Sequence, residues 1–177
     1  MRKLVALMAF LFVLGGVPTA YALSMESMDG HETKTLSDYI GDYLTVPEDA
    51  LDWKILGKTE VIEIDQKDSD GMDLVYDKPK FTPEVKALNG KKVRVKGFMF
   101  PLEETDAQKE FLIGPFPSSC PFQYHVGPNL VIEVYAENNP VAFSYDPIML
   151  EGTLELVPDD PDYSTFYRLR NARLVKE

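Results

Sequence analysis

Cysteine is almost missing from this 177-residue chain: Cys120 stands alone, and only two histidines, His31 and His125, occur with it. A single cysteine excludes any intramolecular disulfide, so stability has to come from an ordinary hydrophobic core. Basic residues are also scarce, 18 against 29 acidic ones. That balance repels phosphate backbones and anionic lipid, which argues against nucleic-acid and membrane-surface binding. The chain further lacks a Gly-rich phosphate loop, a nucleophile elbow, internal repeats and a second zone of distinct composition.

The one long apolar run lies at the start. Arg2 and Lys3 precede an apolar stretch from Leu4 to Val17, and Ala20-Tyr21-Ala22 supplies small residues at the spacing of a signal-peptidase site. The run is short for ~30 Å of hydrocarbon, so residues 1–22 read as a cleavable signal peptide rather than a retained anchor. No cysteine adjoins the cleavage site, which excludes lipidation of a mature N-terminal cysteine. The expected product is periplasmic and soluble, with no stable membrane anchor. Loss of Arg2 and Lys3 leaves it 16 basic against 29 acidic groups, a net charge of −13.

Residues 23–50 read as a flexible leader carrying His31 and ending in a short amphipathic helix. Leu36, Tyr39, Ile40, Tyr43 and Leu44 recur at helical spacing and Pro47 closes the segment. Residues 51–177 then form one domain. Val61, Ile62 and Ile64 sit in a β-branched run ending at the polar turn DQKDSDG, with a possible return over Leu74 to Phe81. Thr82 to Leu88 suggests one or two helical turns, started by Pro83 and ended by Asn89-Gly90. Val93 and Val95 alternate with Arg94 and Lys96 in the clearest strand, where Gly97 permits a bend. Further strands are expected over Lys109–Phe116, Leu130–Ala136, Ile148–Val157 and Phe166–Val175. Five or six short strands with little helix suit a mainly β fold, a small OB-like antiparallel β-barrel; a β-sandwich is the alternative.

Leu88-Asn89-Gly90-Lys91 leading into GFMFPLE, then FLIGPFPSSC, then GPNLVIEV, resembles in that order a family of exported bacterial proteins known as domain of unknown function 3299 (DUF3299). In that family a strand ending in Pro-Leu precedes a Phe-Leu strand that leads to a cysteine, and an Asn nine positions later opens the next strand. Cys120 and Asn129 reproduce the spacing, and the resemblance covers roughly residues 53–175. The family often has a histidine two positions after the cysteine, whereas this chain has Phe122 there and His125 five positions on. The resemblance implies an extracytoplasmic barrel-like accessory protein connected with inner-membrane ABC-type transport systems and metal supply, with no established reaction.

The loop GPFPSSCPFQYHVGPN, residues 114–129, concentrates the remaining chemistry. Cys120 and His125 have the cysteine-x4-histidine spacing of blue-copper proteins, but such a site needs a second histidine and an axial sulfur, and only His31 in the leader is left. Zinc or cuprous ion is less demanding, with thiolate and imidazole completed by other donors, although two ligands alone hold a metal weakly. Cys120 with His125 as base and Asn129 as orienting group would make a thiol enzyme, yet triads generally converge from distant segments. Structurally, Pro115, Pro117, Pro121 and Pro128 stiffen the loop, Phe116, Phe122 and Tyr124 cap one barrel end, Cys120 packs as a small hydrophobe, and Asn129 bonds the loop's own backbone. Gln66 to Asp77 resembles a calcium loop with Asp68, Asp70 and Asp77 at ligand positions, but Gln66 and Leu74 break the pattern and strands replace its helices.

These readings favour a non-enzymatic periplasmic accessory or binding protein that shows Phe116, Phe122, Tyr124 and Asn129 to a partner, an inner-membrane ABC transporter component. It requires no cofactor. The alternatives are metal handling, zinc or copper, through Cys120 and His125, and thiol-dependent catalysis.

Overall fold

A computed structural model describes residues 34–121 and 125–176. The signal peptide, His31, Phe122 and Tyr124 lie outside the described residues. From Lys34 onward the chain forms one unit, and its elements follow from local signals. The helical spacing around Ile40 gives a 3-10 helix, η1 (Leu36–Asp42), started where the Thr35 amide donates to Asp38 Oδ2 at 2.8 Å. Asp52 caps α1 (Trp53–Leu56), and Thr82 with Pro83 starts α2 (Pro83–Lys86). The strands are β1 (Glu60–Lys67), β2 (Asp73–Lys80), β3 (Lys92–Pro101), β4 (Ala107–Gln108), β5 (Glu110–Gly114), β6 (Ile132–Tyr135), β7 (Val141–Ala142), β8 (Ile148–Leu156) and β9 (Tyr167–Leu174), with a second 3-10 turn, η2 (Pro128–Leu130), ahead of β6.

Five strands close a barrel in the order β3-β5-β6-β9-β8. β3 is long enough to pair with two neighbours: Lys92–Gly97 with β8 and Phe98–Pro101 with β5. The change of partner falls at Gly97, where a Cβ would stand 2.7 Å from the Gly114 carbonyl oxygen and 2.8 Å from Ile113. Counted along the barrel, its first strand meets the second and fourth, and its third meets the fifth, which is an OB-like arrangement. One seam departs from the antiparallel expectation. β6 and β9 run parallel, with Glu133 beside Arg168 and Val134 beside Leu169, because the long connection through β8 returns the chain in the direction of β6. The β-branched run and its return form a separate two-stranded sheet, β1–β2, and β4–β7 is another.

The barrel interior follows the period of two. Phe111 and Ile113 of β5, Ile132 and Val134 of β6, and Tyr167 and Leu169 of β9 are all fully buried. Ile40 and Leu44 join the same core, so the short amphipathic helix η1 and the turn after it pack on the barrel. Trp53 is fully buried, and its indole N–H donates to the Lys96 carbonyl at 2.7 Å. The Tyr167 hydroxyl donates to the Leu56 carbonyl at 3.0 Å and lies 2.6 Å from Thr59 Oγ1. Burial pushes its pKa up to about 12, against a smaller downward effect of the Thr59 hydrogen bond.

Candidate functional site

Of the proline-braced loop, Phe116 and Cys120 turn into the core. Cys120 closes a tight turn, its amide donating to the Pro117 carbonyl at 2.9 Å, and its side chain sits in the core at 2% exposure. Its thiol shares a hydrogen bond with the Tyr43 hydroxyl, the first cause of a pKa for Tyr43 above the ordinary value, followed by desolvation. Phe116 is fully buried and meets the Tyr43 ring edge-on at 5.5 Å, so it is a packing residue and not a displayed one. His125, by contrast, is exposed. Asn129 does not bond the loop's own backbone as expected but donates through Nδ2 to the carbonyls of Gly57 and Thr59, each at 3.1 Å, fastening the end of the loop to the α1–β1 connection. The structure thus brings Cys120 and Phe116 together around Tyr43 and commits Asn129 to the backbone.

Among the described residues no three His, Cys, Asp or Glu side chains are placed to share an ion. The segment resembling a calcium loop is the β1–β2 turn. Asp68 Oδ1 accepts from the amides of Asp70 at 2.9 Å and Met72 at 2.8 Å, which uses this carboxylate to hold the turn.

The surface best built for recognition lies where the loop meets the outer face of the barrel. Because Phe111, Ile113, Ile132 and Val134 point inward, the alternate positions Leu112, Val131 and Glu133 face out. They floor a groove of about 210 Å³, walled by Val126 and Pro128 from the loop and by Tyr163 to Phe166 from the β8–β9 connection. Leu112 pairs with Glu133 across β5 and β6, so both strands contribute to the floor.

Arg168 fixes floor and wall together. Its Nε donates to Glu133 Oε2 and its Nη2 to Asp160 Oδ2, both at 2.9 Å, and all three side chains are largely buried. Burial alone would lower the Arg168 pKa, but the hydrogen bond and charge of Glu133, with further help from Tyr135 and Asp160, raise it, so the guanidinium stays charged. Asp160 in turn accepts the Tyr163 amide through Oδ1 at 3.2 Å and the Ser164 amide through its carbonyl at 2.9 Å. Ser164 holds a left-handed φ of 54°, and its Oγ accepts the Asp77 amide at 3.0 Å. The wall that carries the 81%-exposed Tyr163 is therefore preset.

Among the described residues three depressions are larger: one of about 330 Å³ lies between η1 and α1 beside Ile40, Leu44 and Lys54, and two are lined by several charged side chains. One, of about 610 Å³, holds Asp49, Lys92, Arg94 and Glu151, which already pair as Arg94–Asp49 and Lys92–Glu151. The other, of about 630 Å³, lies beside β4 and β7 and carries Glu103, Asp106, Phe143 and Tyr145. Sequence reasoning passed over the groove because it weighted rare residues. The available signal was an apolar side chain at the outward position of two strands, Leu112 in FLIG and Val131 in LVIEV.

The family model described as "Protein of unknown function (DUF3299)" matches residues 31–176. The crystal structure of a DUF3299 family protein from Pseudomonas aeruginosa PAO1 is similar at 23% identity and a TM-score of 0.42, over 56% of this chain and 68% of that one. No curated protein matches the chain.

Proposed function

The chain belongs to the DUF3299 family, and from that premise we propose that it is a non-enzymatic accessory or binding protein acting outside the cytoplasm, with the groove beside β6 as its recognition surface. The observation that carries this reading is the Glu133–Arg168–Asp160 bridge, which holds an exposed aromatic wall over an apolar floor. A preset wall needs little ordering when a partner arrives, and an exposed Tyr over an apolar floor is the composition of an interface anchor. At about 210 Å³ the groove falls below the ~300 Å³ at which small-molecule pockets begin. It suits one or two side chains of a protein partner better than an enclosed metabolite. The signal-like N-terminus supports export, and the family resemblance supports an inner-membrane ABC-type transport component as partner. The acidic balance of the chain supports a protein partner over a nucleic acid.

Neither metal handling nor thiol catalysis has a specific observation in its favour, since Cys120 is buried against Tyr43 while His125 is exposed. The test is recovery of transport components after crosslinking to tagged mature protein, wild type against Tyr163→Ala and Val131→Asp. Loss of a central interface anchor is expected to reduce recovery about tenfold or more. Equal recovery by folded variants would remove the groove from the interaction, and recovery of nothing above background by the wild type would sink the accessory reading.

A further inference from the structure

We propose that the outer edge of β1 is a second recognition surface, which accepts an extended, basic segment of a partner protein as an added antiparallel strand. β1 pairs only with β2 among the described residues, and seven of its eight residues are exposed, Ile64 alone being half-buried. The opposite edge of the hairpin is occupied: Asp77 donates its amide to Ser164 Oγ, and Tyr76 and Lys78 both bond Asp159. Among the described residues no strand covers the outer edge of β1.

The ladder shows which groups it offers. The Asp68 amide donates to the Met72 carbonyl at 2.9 Å, and the register continues without a shift to Glu60 opposite Lys80. Hydrogen-bonded pairs alternate along such a ladder, so the N–H and C=O groups of Val61, Glu63, Asp65 and Lys67 point away from β2. A long edge of unpaired backbone groups is a template for strand addition. Val61 and Ile62, 38% and 37% exposed, add apolar contacts on both faces.

Charge decides the occupant. Glu60 is paired with Lys80, and Lys67 with Asp73. Glu63 and Asp65 have no ion-pair partner among the described residues, and both belong to the outward set. Antiparallel addition of a second copy would pair that set with itself, and the registers that use most of the strand place Glu63 opposite Glu63 or Asp65 of the other copy. Like charges directly opposite disfavour that pairing. A strand with Lys or Arg opposite Glu63 and Asp65, and β-branched residues between, meets the edge with complementary charge.

The probe is an eight-residue peptide alternating lysine and valine, titrated into the mature protein while backbone amide shifts are followed. Saturable shifts are expected at Val61, Glu63, Asp65 and Lys67, with affinity at least tenfold above that of the glutamate–valine counterpart. Glu63→Pro removes an outward N–H without breaking a ladder bond and should abolish binding. The exchange Glu63→Lys with Asp65→Lys keeps the backbone edge and should reverse the preference between the two peptides. Equal affinity for both peptides, undiminished binding by Glu63→Pro, absence of shifts in β1, or self-association through β1 would each overturn the proposal. Tyr163→Ala should leave this binding unchanged, which separates failure here from failure of the groove reading.

Discussion

Gly97 shows how a single hydrogen in place of a methyl sets the barrel. An added Cβ would press on the Gly114 carbonyl oxygen and on Ile113, and backbone cannot swing aside. Gly97→Ala should destabilise the protein by about 1–3 kcal/mol, read from denaturant midpoints. Tyr167 gives a second expectation at this scale. Its pKa is raised from 10.0 to about 12 in the folded protein, so the stabilising protonated form is fully in place below pH 10 and its contribution is lost as pH rises through about 12. Stability should fall by about 2–3 kcal/mol across that window, and Tyr167→Phe should flatten the fall while costing about 1–2 kcal/mol at neutral pH. Residue identity alone was a poor guide to role. Cys120 packs in the core as its reading as a small hydrophobe has it, and Phe116, expected at the displayed end of the loop, joins it there, whereas the ordinary Leu112 and Val131 face the groove.

Among the elements, the β1–β2 hairpin depends most on a few polar contacts, since a two-stranded sheet is marginal on its own. Lys78, and after it Tyr76, hydrogen-bonds Asp159 and holds its carboxyl below the ordinary 3.8. A lowered folded pKa means that this anchoring is present above the ordinary value and lost as pH falls through the folded one. Below about pH 4 the amides of Tyr76 and Asp77 should lose exchange protection before those of the barrel strands, and Asp159→Asn should show the same loss at neutral pH. Most elements were legible because alternation and caps are local: Val93 with Val95 marks β3, and Thr82-Pro83 marks α2. Two features were not. The pair β4–β7 is only two residues per strand, too short for a period to register, and the placement of β1–β2 outside the barrel is settled by contacts to Asp159 and Ser164 from a distant connection.

At the scale of the whole molecule, composition and strand spacing indicate a closed mainly β barrel, yet strand order is a long-range property. No local signal in IEVY or YRLR announces that β6 and β9 lie side by side and parallel, and only that neighbourhood lets Arg168 join Glu133 to Asp160 of its own connection. The proposed recognition surface is therefore assembled from three separated parts of the chain: the outward side of β5 and β6, the end of the proline-rich loop, and the β8–β9 connection. Site-resolved photocrosslinking in cells addresses this most directly, with the photoreactive side chain placed at Leu112, Val131 or Tyr163 and, for comparison, at the exposed Tyr145 and Leu174. The account predicts one common protein adduct from the three groove positions and none from the other two; an adduct at Tyr145 or Leu174 with a silent groove would contradict it.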